Sequence, residues 1–313
     1  MDWIDVTILV LTIFVFLTVV FFFIGGFVLY RFTFKRLKND EKFAELENPK
    51  DKKEASRVWF SKQKVDVFTI KSKDNLTLKG YFLNNNSNKI ALILHGYHGR
   101  YYSSTTQAKI FYEEGYDVLL PNNRAHDTSE GDYFTMGPKE VDDVLRWIDL
   151  LIKRNGKYEI VLMGVSMGAH IAMCVIGNKN LPSNVKVLIE DCGYNNLKSI
   201  LYDQLRTKFT PGFSKVLLLF SSFYSYIAGF SLNHSVNNSL QNMNCPILLI
   251  HGDKDNYVKT YNVYLNEEKV NSNVDKELAI FNNARHNESK LQTQKYKETI
   301  LSFIRKYIKW KLI

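Results

Sequence analysis

The sequence predicts an α/β fold, a mostly parallel β-sheet with helices on both faces, preceded by one membrane-spanning helix. The first observation is that short apolar runs alternate with helix-length segments along residues 58–313. Strands of a parallel sheet are buried on both faces and therefore read as nearly continuous apolar runs. The second observation is that residues 6–30 contain no charged side chain. A run of that length is typical of a helix that crosses a bilayer.

The composition is that of a globular protein. Of 313 residues, 45% are hydrophobic and 23% are charged, which excludes a disordered chain. The three cysteines are too few for a disulfide framework and lack the spacing of a zinc site. The net charge of +9 is concentrated in residues 31–79 and 290–313, without a nucleic-acid-binding motif. Because the first basic stretch directly follows the apolar run, it indicates a membrane surface, and not nucleic acid, as the acidic partner.

Residues 1–38 are predicted to be a membrane anchor with its basic flank. The apolar run is longer than the core of a signal peptide, and Asp2 and Asp5 stand where a signal peptide carries basic residues. A buried core helix of this length without a polar face would be unusual. Basic residues such as Arg31 and Lys35 follow the run. The positive-inside rule therefore predicts an outer N terminus and a domain on the cytoplasmic side of the cell membrane.

A polar, charged linker is predicted at residues 39–57, and the globular domain at residues 58–313. Two strands joined by a turn-prone segment open the domain, and alternating strands and helices follow. The predicted strands are residues 64–70, 76–83, 90–94, 116–120, 159–163, 185–189, 246–250 and 277–281. The predicted helices are residues 103–114, 139–154, 167–176, 257–270 and 289–309.

Residues 193–244 interrupt this alternation, because they contain no strand signal. They include an aromatic-rich stretch at residues 215–230 with no charge after its first residue. An insertion of this size after a central strand is where a lid over a binding site would lie, so a helical lid is predicted. The alternative is a pair of packed helices without any contact to a substrate.

The strongest local motif is G-x-S-x-G at residues 164–168, which contains Ser166 and lies between a predicted strand and a predicted helix. In this context the motif indicates a sharp turn that exposes the serine hydroxyl and directs the following amides toward a developing oxyanion. The loop at residues 94–99, which follows an early strand, is the expected source of a second amide.

A nucleophilic serine needs a general base and a carboxylate that orients it. His286 follows the last predicted strand, and residues 250–258 offer both Asp253 and Asp255 after another strand. Asp191 is a further candidate for the carboxylate, since some hydrolases carry it on the preceding strand. His251, just before the acidic turn, is expected to be a buried imidazole with its hydrogen bonds satisfied rather than a second base.

The set H-G-x-x-G, G-x-S-x-G, H-G-x-x-D-x-x-V and a late histidine resembles the α/β-hydrolase superfamily. Within it the chain is most similar to serine aminopeptidase-like hydrolases and their membrane-anchored bacterial relatives, and residues 120–131 resemble their D-x-R-G-H-G-x-S-x-G segment. The resemblance implies Ser166 as nucleophile and His286 as general base. It also implies Asp255 as the orienting carboxylate, selected by the H-G-x-x-D spacing, and oxyanion amides from Tyr97 and Met167.

The sequence thus predicts a membrane-anchored serine hydrolase that cleaves carboxylic esters, with acyl-lipid or other apolar esters as substrates. The chemistry requires no metal or organic cofactor. An aminopeptidase or amidase of the same fold is the alternative, because ester and amide cleavage use the same residues. Asp203 is the single acidic residue at positions 193–244, which leaves few carboxylates to bind a charged substrate N terminus. A non-catalytic scaffold is a third reading, although every member of the triad is present.

Overall fold

The computed structural model describes residues 2–36 and 55–308. Helix α1 (Trp3–Phe34) contains the predicted apolar run and is, among the described residues, the helix long and apolar enough to cross a membrane. The side chain of Asp2 caps it by accepting hydrogen bonds from two first-turn amides. Both membrane anchors and signal sequences contain a helix of this kind. The structure therefore shows that α1 is apolar and long enough to span a bilayer, and the anchor itself stays a prediction.

The elements after α1 follow the predicted alternation of strands and helices. They are α2 (Ala55–Phe60), β1 (Val65–Lys71), β2 (Thr77–Leu83), β3 (Lys89–Leu94), α3 (Thr105–Glu113), β4 (Asp117–Pro121), α4 (Glu140–Arg154), β5 (Glu159–Val165), α5 (Met167–Ile176), β6 (Val185–Asp191), α6 (Leu197–Arg206), α7 (Pro211–Ile227), α8 (Asn237–Gln241), β7 (Ile247–Gly252), α9 (Tyr261–Lys269), β8 (Lys276–Phe281) and α10 (Thr293–Tyr307). Short 3-10 turns at Tyr101–Ser104 and Ser289–Leu291 precede α3 and α10.

The strands form one eight-stranded sheet in the order β1-β2-β4-β3-β5-β6-β7-β8. Strand β2 pairs antiparallel with β1 and β4, and the pairs from β4 through β8 are parallel. Strands β3 to β7 are buried along almost their whole length, as their apolar composition predicts. The predicted mostly parallel sheet is confirmed. Its parallel strands all end at one edge, where open α/β sheets bind their ligands.

The helix after β7 begins later than the sequence pattern indicates. The pattern predicts residues 257–270, whereas α9 begins at Tyr261. The cause is Asp255, whose Oδ1 accepts hydrogen bonds from the amides of Tyr257 and Val258 at 2.9 Å each. These bonds fold the segment before α9 into a turn around the carboxylate and delay the helix.

Packing divides the described residues into two units. One contains α1, α6 and α7, that is, the chain up to Lys35 together with Leu197–His234. The other contains the sheet, that is, Arg36–Asn196 and the chain from Ser235 onward. The predicted insertion at residues 193–244 contains α6, α7 and α8, and its action as a lid stays a prediction. Most of the predicted linker at residues 39–57 lies outside the described residues, and its last three residues belong to α2.

Candidate active site

Ser166 lies in the sharp turn between β5 and α5. Its backbone has φ 54° and ψ −114°, a conformation that is rare for a residue with a side chain. The Ser166 amide donates to the carbonyl oxygen of Asp191 on the neighbouring strand at 2.8 Å, which holds the turn against the sheet. The turn therefore presents the serine hydroxyl beyond the carboxyl end of β5, the geometry for which the G-x-S-x-G motif is known.

Two glycines flank this serine because the backbone approaches too closely for any side chain. A Cβ on Gly168 would lie 2.2 Å from the carbonyl oxygen of Leu94, and a Cβ on Gly164 would lie 2.2 Å from the carbonyl oxygen of Gly168. Both clashes involve backbone of buried elements, which has no room to move aside. The spacing of the motif is therefore fixed by how closely β3, β5 and α5 pack around the turn.

The structure brings Ser166, His286 and Asp255 together at the carboxyl edge of the sheet. Nε2 of His286 lies 2.9 Å from Oγ of Ser166, and Nδ1 of His286 lies 2.7 Å from Oδ2 of Asp255. The three residues follow β5, β7 and β8, so their proximity results from strands that end at the same edge. The arrangement can move a proton from the serine hydroxyl to the imidazole.

Asp255 is held in its ionised form. Burial opposes ionisation, but hydrogen bonds from His251 and His286 outweigh it and lower the pKa of Asp255 to about 2. An ionised carboxylate only accepts hydrogen bonds, so Nδ1 of His286 carries a proton toward it. In the neutral ring Nε2 is then the acceptor, and the Ser166 hydroxyl donates to it. The carboxylate thus selects the tautomer that can act as a base toward serine.

His251 makes a second contact with this carboxylate, which the sequence analysis missed. Its Nε2 lies 2.8 Å from the carbonyl oxygen of Val258 and 3.3 Å from Oδ2 of Asp255. Since a carbonyl only accepts, Nε2 carries the proton and points toward both oxygens. Burial lowers the pKa of His251, but the hydrogen bond to Asp255 and the charge of Glu190 raise it overall. The sequence signal for this contact is the histidine of H-G-x-x-D, four residues before the aspartate.

The other two carboxylates considered from the sequence are placed differently. Oδ2 of Asp191 accepts a hydrogen bond from the Tyr296 hydroxyl at 2.6 Å in the buried interior. Asp253 is partly exposed, and its Oδ1 has no hydrogen-bond partner among the residues that the structure describes. The geometry at Nδ1 of His286 therefore favours Asp255.

The backbone around Ser166 offers amides to an oxyanion. Met167 is the first residue of α5, and first-turn amides have no acceptor within their own helix. Tyr97, in the loop after β3, lines the same cavity as Ser166. The preceding Gly96 lies against the serine, since a Cβ on it would be 3.8 Å from the Ser166 hydroxyl oxygen. Both predicted oxyanion residues thus lie beside the nucleophile, where such donors act.

Three histidines brace the loop after β3. The ring of His126 contacts those of His95 and His98, and the rings of His98 and His126 both contact Phe134. Nδ1 of His95 donates to the carbonyl of the next residue at 2.8 Å, and its Nε2 accepts from the amide of Asn123 at 3.0 Å. Burial lowers the pKa of His95 to about 4 and lowers that of His126 well below its ordinary value. These rings are therefore neutral supports of the loop at neutral pH.

Replacing His126 with asparagine is expected to make the protein less sensitive to acid. Nδ1 of His126 donates to the carbonyl of Arg124 at 2.8 Å, a bond that an asparagine amide can replace. As the pH falls below about 6.5, the unfolded chain protonates this imidazole while the folded ring stays neutral, so wild type loses stability. At pH 5 the loss from this group is about 2 kcal/mol. Urea unfolding at pH 7 and pH 5 measures the loss of folding stability in wild type and in His126→Asn. Equal losses in the two proteins would contradict a neutral, buried His126.

A cavity of about 370 Å³ opens beside Ser166 and His286. Its lining includes the basic residues Arg57 and Lys290 and, among the described residues, no carboxylate side chain. Sequence reasoning missed Arg57, Tyr257 and Lys290 as lining residues, because no local motif marks side chains that only the fold brings together. The cavity gives the serine direct access to a bound molecule.

Cys192 is a second potential nucleophile near the site. It is buried, and its sulfur lies within 4.8 Å of ligand atoms of Asp255 and His286, a set that could hold a metal ion. Burial raises the pKa of the Cys192 thiol well above its ordinary value, so the group is a neutral, weak nucleophile. Since Asp255 and His286 are hydrogen-bonded to each other, the set is better suited to proton transfer than to metal binding.

This sheet and the serine turn at its edge define a class of protein, the serine hydrolases of the α/β-hydrolase fold. In a comparison with protein-family models, the model of the prolyl oligopeptidase family matches residues 102–311, which are most of the predicted globular domain. The chain therefore belongs to the prolyl oligopeptidase family, and the predicted resemblance to α/β-hydrolases is confirmed.

Known proteins similar to the chain include an esterase and a peptidase. The chain is 26% identical over 251 residues to the uncharacterized protein YqkD of Bacillus subtilis (strain 168), covering 78% of this chain and 81% of YqkD. The esterase Pf2001 of Pyrococcus furiosus is 25% identical with a TM-score of 0.64, covering 78% of this chain and 92% of the esterase. An acylaminoacyl peptidase in complex with Z-Gly-Gly-Phe-chloromethyl ketone is 19% identical with a TM-score of 0.59, covering 81% of this chain and 44% of the peptidase. This last likeness is one of fold.

Proposed function

We propose that the protein is a membrane-anchored serine esterase that cleaves carboxylic esters through an acyl-enzyme. The observation that carries the proposal is the hydrogen-bonded chain from Ser166 through His286 to Asp255, with contacts of 2.9 Å and 2.7 Å. This chain of hydrogen bonds ends at the buried carboxylate of Asp255, whose pKa is about 2. An ionised carboxylate in this position orients the imidazole of His286 and supports its action as a base.

In the proposed reaction, Oγ of Ser166 attacks the ester carbonyl carbon while Nε2 of His286 takes the hydroxyl proton. The amides of Tyr97 and Met167 stabilise the negative charge on the carbonyl oxygen. The imidazolium then gives its proton to the departing alcohol, which leaves an acyl group on Ser166. The same imidazole then takes a proton from the water that attacks this acyl group, and it gives that proton to Oγ of Ser166 as the carboxylic acid leaves.

The lining of the cavity supports esters of uncharged or anionic acids over aminopeptidase substrates. An aminopeptidase binds the ammonium group of its substrate, commonly with a carboxylate, whereas this cavity has Arg57 and Lys290 in its wall. Basic groups near a cationic substrate are unfavourable. The similarity to the Pyrococcus furiosus esterase supports the same choice. The match to the prolyl oligopeptidase family favours, as a second candidate, cleavage of amides without a free ammonium group.

The proposed location is the cell membrane, with α1 as a single anchor and the domain on the cytoplasmic side. The uncharged run at residues 6–30 supports the anchor, and the basic residues that follow it, including Arg31 and Lys35, support the orientation. An enzyme held at a bilayer meets its substrates there, so acyl-lipid and other apolar esters are the proposed substrate class.

A matched pair of substrates tests the acyl preference. The detergent-solubilised protein should hydrolyse p-nitrophenyl butyrate with a kcat/KM at least about tenfold above that for p-nitrophenyl leucinate, a difference of about 1.4 kcal/mol. The two esters share a leaving group, so the comparison reports the acyl group, which in the leucinate carries both an ammonium charge and an isobutyl side chain. Butyryl and leucyl p-nitroanilides extend it to amides. Faster cleavage of either leucyl substrate would contradict the proposed substrate class.

A further inference from the structure

Helix α7 packs against α1 as closely as two membrane helices do. A Cβ on Gly26 of α1 would lie 2.4 Å from Cβ of Phe220 and 2.9 Å from the backbone nitrogen of Ser221. The Tyr224 hydroxyl of α7 donates to the carbonyl oxygen of Phe23 at 3.3 Å. Small residues at the contact let backbones approach closely, which is the usual basis of helix association in lipid.

This contact uses only the C-terminal part of α1. Residues 2–19 are exposed on every side among the described residues, and a partly buried face begins at Val20. Residues 3–19 alone measure about 25 Å as a helix, close to the bilayer core of about 30 Å. Helix α7 therefore lies beside the part of α1 that approaches one membrane surface.

The contact between the two helices extends along the C-terminal part of α1. The ring of Phe22 contacts Phe213 with centroids 5.2 Å apart, and the ring of Tyr30 contacts Tyr224 with centroids 6.3 Å apart. Between these contacts α1 advances about 12 Å. The uncharged run of α1 is about 37 Å long, more than the bilayer core, and such a helix tilts. The C-terminal end of α1, which α7 contacts, therefore reaches the boundary between acyl chains and headgroups in the proposed membrane.

The outward face of α7 is apolar. Leu219, Phe223, Tyr226 and Ile227 follow one another at helical spacing, and Leu219 is 64% and Tyr226 78% exposed. A stripe of this kind is unusual on a surface that faces only water. Residues 204–234 contain no acidic side chain, whereas Arg206, Lys208 and Lys215 are exposed and basic. An apolar stripe beside basic residues is the pattern of a helix at a lipid interface.

We propose that α7 is an interfacial helix of the membrane that α1 spans. Leu219, Phe223, Tyr226 and Ile227, the outward stripe, enter the boundary between headgroups and acyl chains, and the neighbouring basic residues contact anionic headgroups. The proposal rests on the anchoring by α1 in the proposed function. Its occupant is lipid because the stripe continues the exposed apolar surface of α1 within one packed unit.

Nitroxide-lipid quenching tests the proposal on the full chain in vesicles. A fluorescent NBD probe is attached to Phe223→Cys, with Val10→Cys reporting α1 and Val67→Cys, exposed on β1, as the control. The three native cysteines are buried, and the unsubstituted chain measures their background labelling. Vesicles consist of phosphatidylcholine, with or without 30% phosphatidylserine. We expect quenching of the probe at positions 10 and 223 and none at position 67. At position 223, lipids with the nitroxide near the headgroup should quench more strongly than lipids with the nitroxide deep in the acyl chain.

The outcomes separate the two proposals. Quenching at position 10 without quenching at 223 would overturn the interfacial helix and leave the anchor intact, including the case where another protein or a second copy covers the stripe. Absence of quenching at position 10 would overturn the anchor and this proposal with it. The double variant Lys208→Glu/Lys215→Glu should lose the added quenching that phosphatidylserine causes, whereas Lys62→Glu/Lys73→Glu, with the same change in charge, should keep it. Equal behaviour of the two double variants would overturn the headgroup contact.

Discussion

Replacing Ser166 with alanine should lower kcat/KM for p-nitrophenyl butyrate by about 10⁴-fold or more. The variant lacks the oxygen that forms the acyl-enzyme, and His286 then has no hydroxyl to deprotonate. What remains is the stabilisation of an oxyanion for a water attack, which accelerates hydrolysis weakly. The loss should appear in kcat, with little change in KM, because the cavity walls are unchanged.

The Ser166→Ala protein must be shown to be folded for this loss to be informative. The substitution removes one hydroxyl whose partner is His286, so the thermal midpoint should stay close to that of wild type. Hydrolysis within tenfold of wild type in a well-folded variant would mean that another group attacks the ester. The buried thiol of Cys192 would be the first to examine.

Replacing Asp255 with asparagine should lower kcat/KM by about 10³- to 10⁴-fold. An asparagine amide that donates to Nδ1 of His286 would leave the proton on Nε2, and that tautomer accepts nothing from Ser166. Because the pKa of Asp255 is about 2, the carboxylate is ionised throughout the assay range, and protonation removes its contribution only near that pH. The variant therefore removes an ionised carboxylate at every pH of the assay, and kcat/KM for p-nitrophenyl butyrate at pH 8 measures the loss.

Asp253→Asn is the matched control for this prediction. Asp253 lies two residues away in the same turn, yet it has no hydrogen bond to His286 among the described residues. Its kcat/KM should change by less than about tenfold, since a side chain outside the proton path affects only local electrostatics. Equal losses of kcat/KM in the two variants, or a larger loss in Asp253→Asn, would show that Asp255 is not the residue that orients His286.

Much of the fold could be predicted because its strands are buried on both faces. Runs such as residues 159–163 and 185–189 are mostly apolar, and β5 and β6 begin at the predicted residues and extend two residues further. The extensions include Gly164 and Asp191, which the apolar pattern alone does not mark. The sheet order could not be predicted, because it depends on crossovers between strands that local patterns do not record.

The residues proposed for catalysis could be named because each lies in a short motif after a strand. Ser166 is in the serine turn, and Asp255 is in H-G-x-x-D. The same motif places His251 four residues before Asp255, but the spacing alone does not show that the two side chains touch, because the contact depends on the turn that the carboxylate itself folds. Nor could local spacing place Arg57 and Lys290 in one cavity wall, since 232 positions of chain separate them and only packing brings them together.

Labelling with a fluorophosphonate shows whether the Ser166 hydroxyl is activated. The reagent reacts with serines whose hydroxyl is deprotonated by a neighbouring base, and peptide mass spectrometry then locates the adduct. We expect that the detergent-solubilised wild type is labelled on Ser166, and that Ser166→Ala and His286→Ala are not labelled. Absence of labelling in folded wild type, or an adduct on another residue, would contradict this expectation.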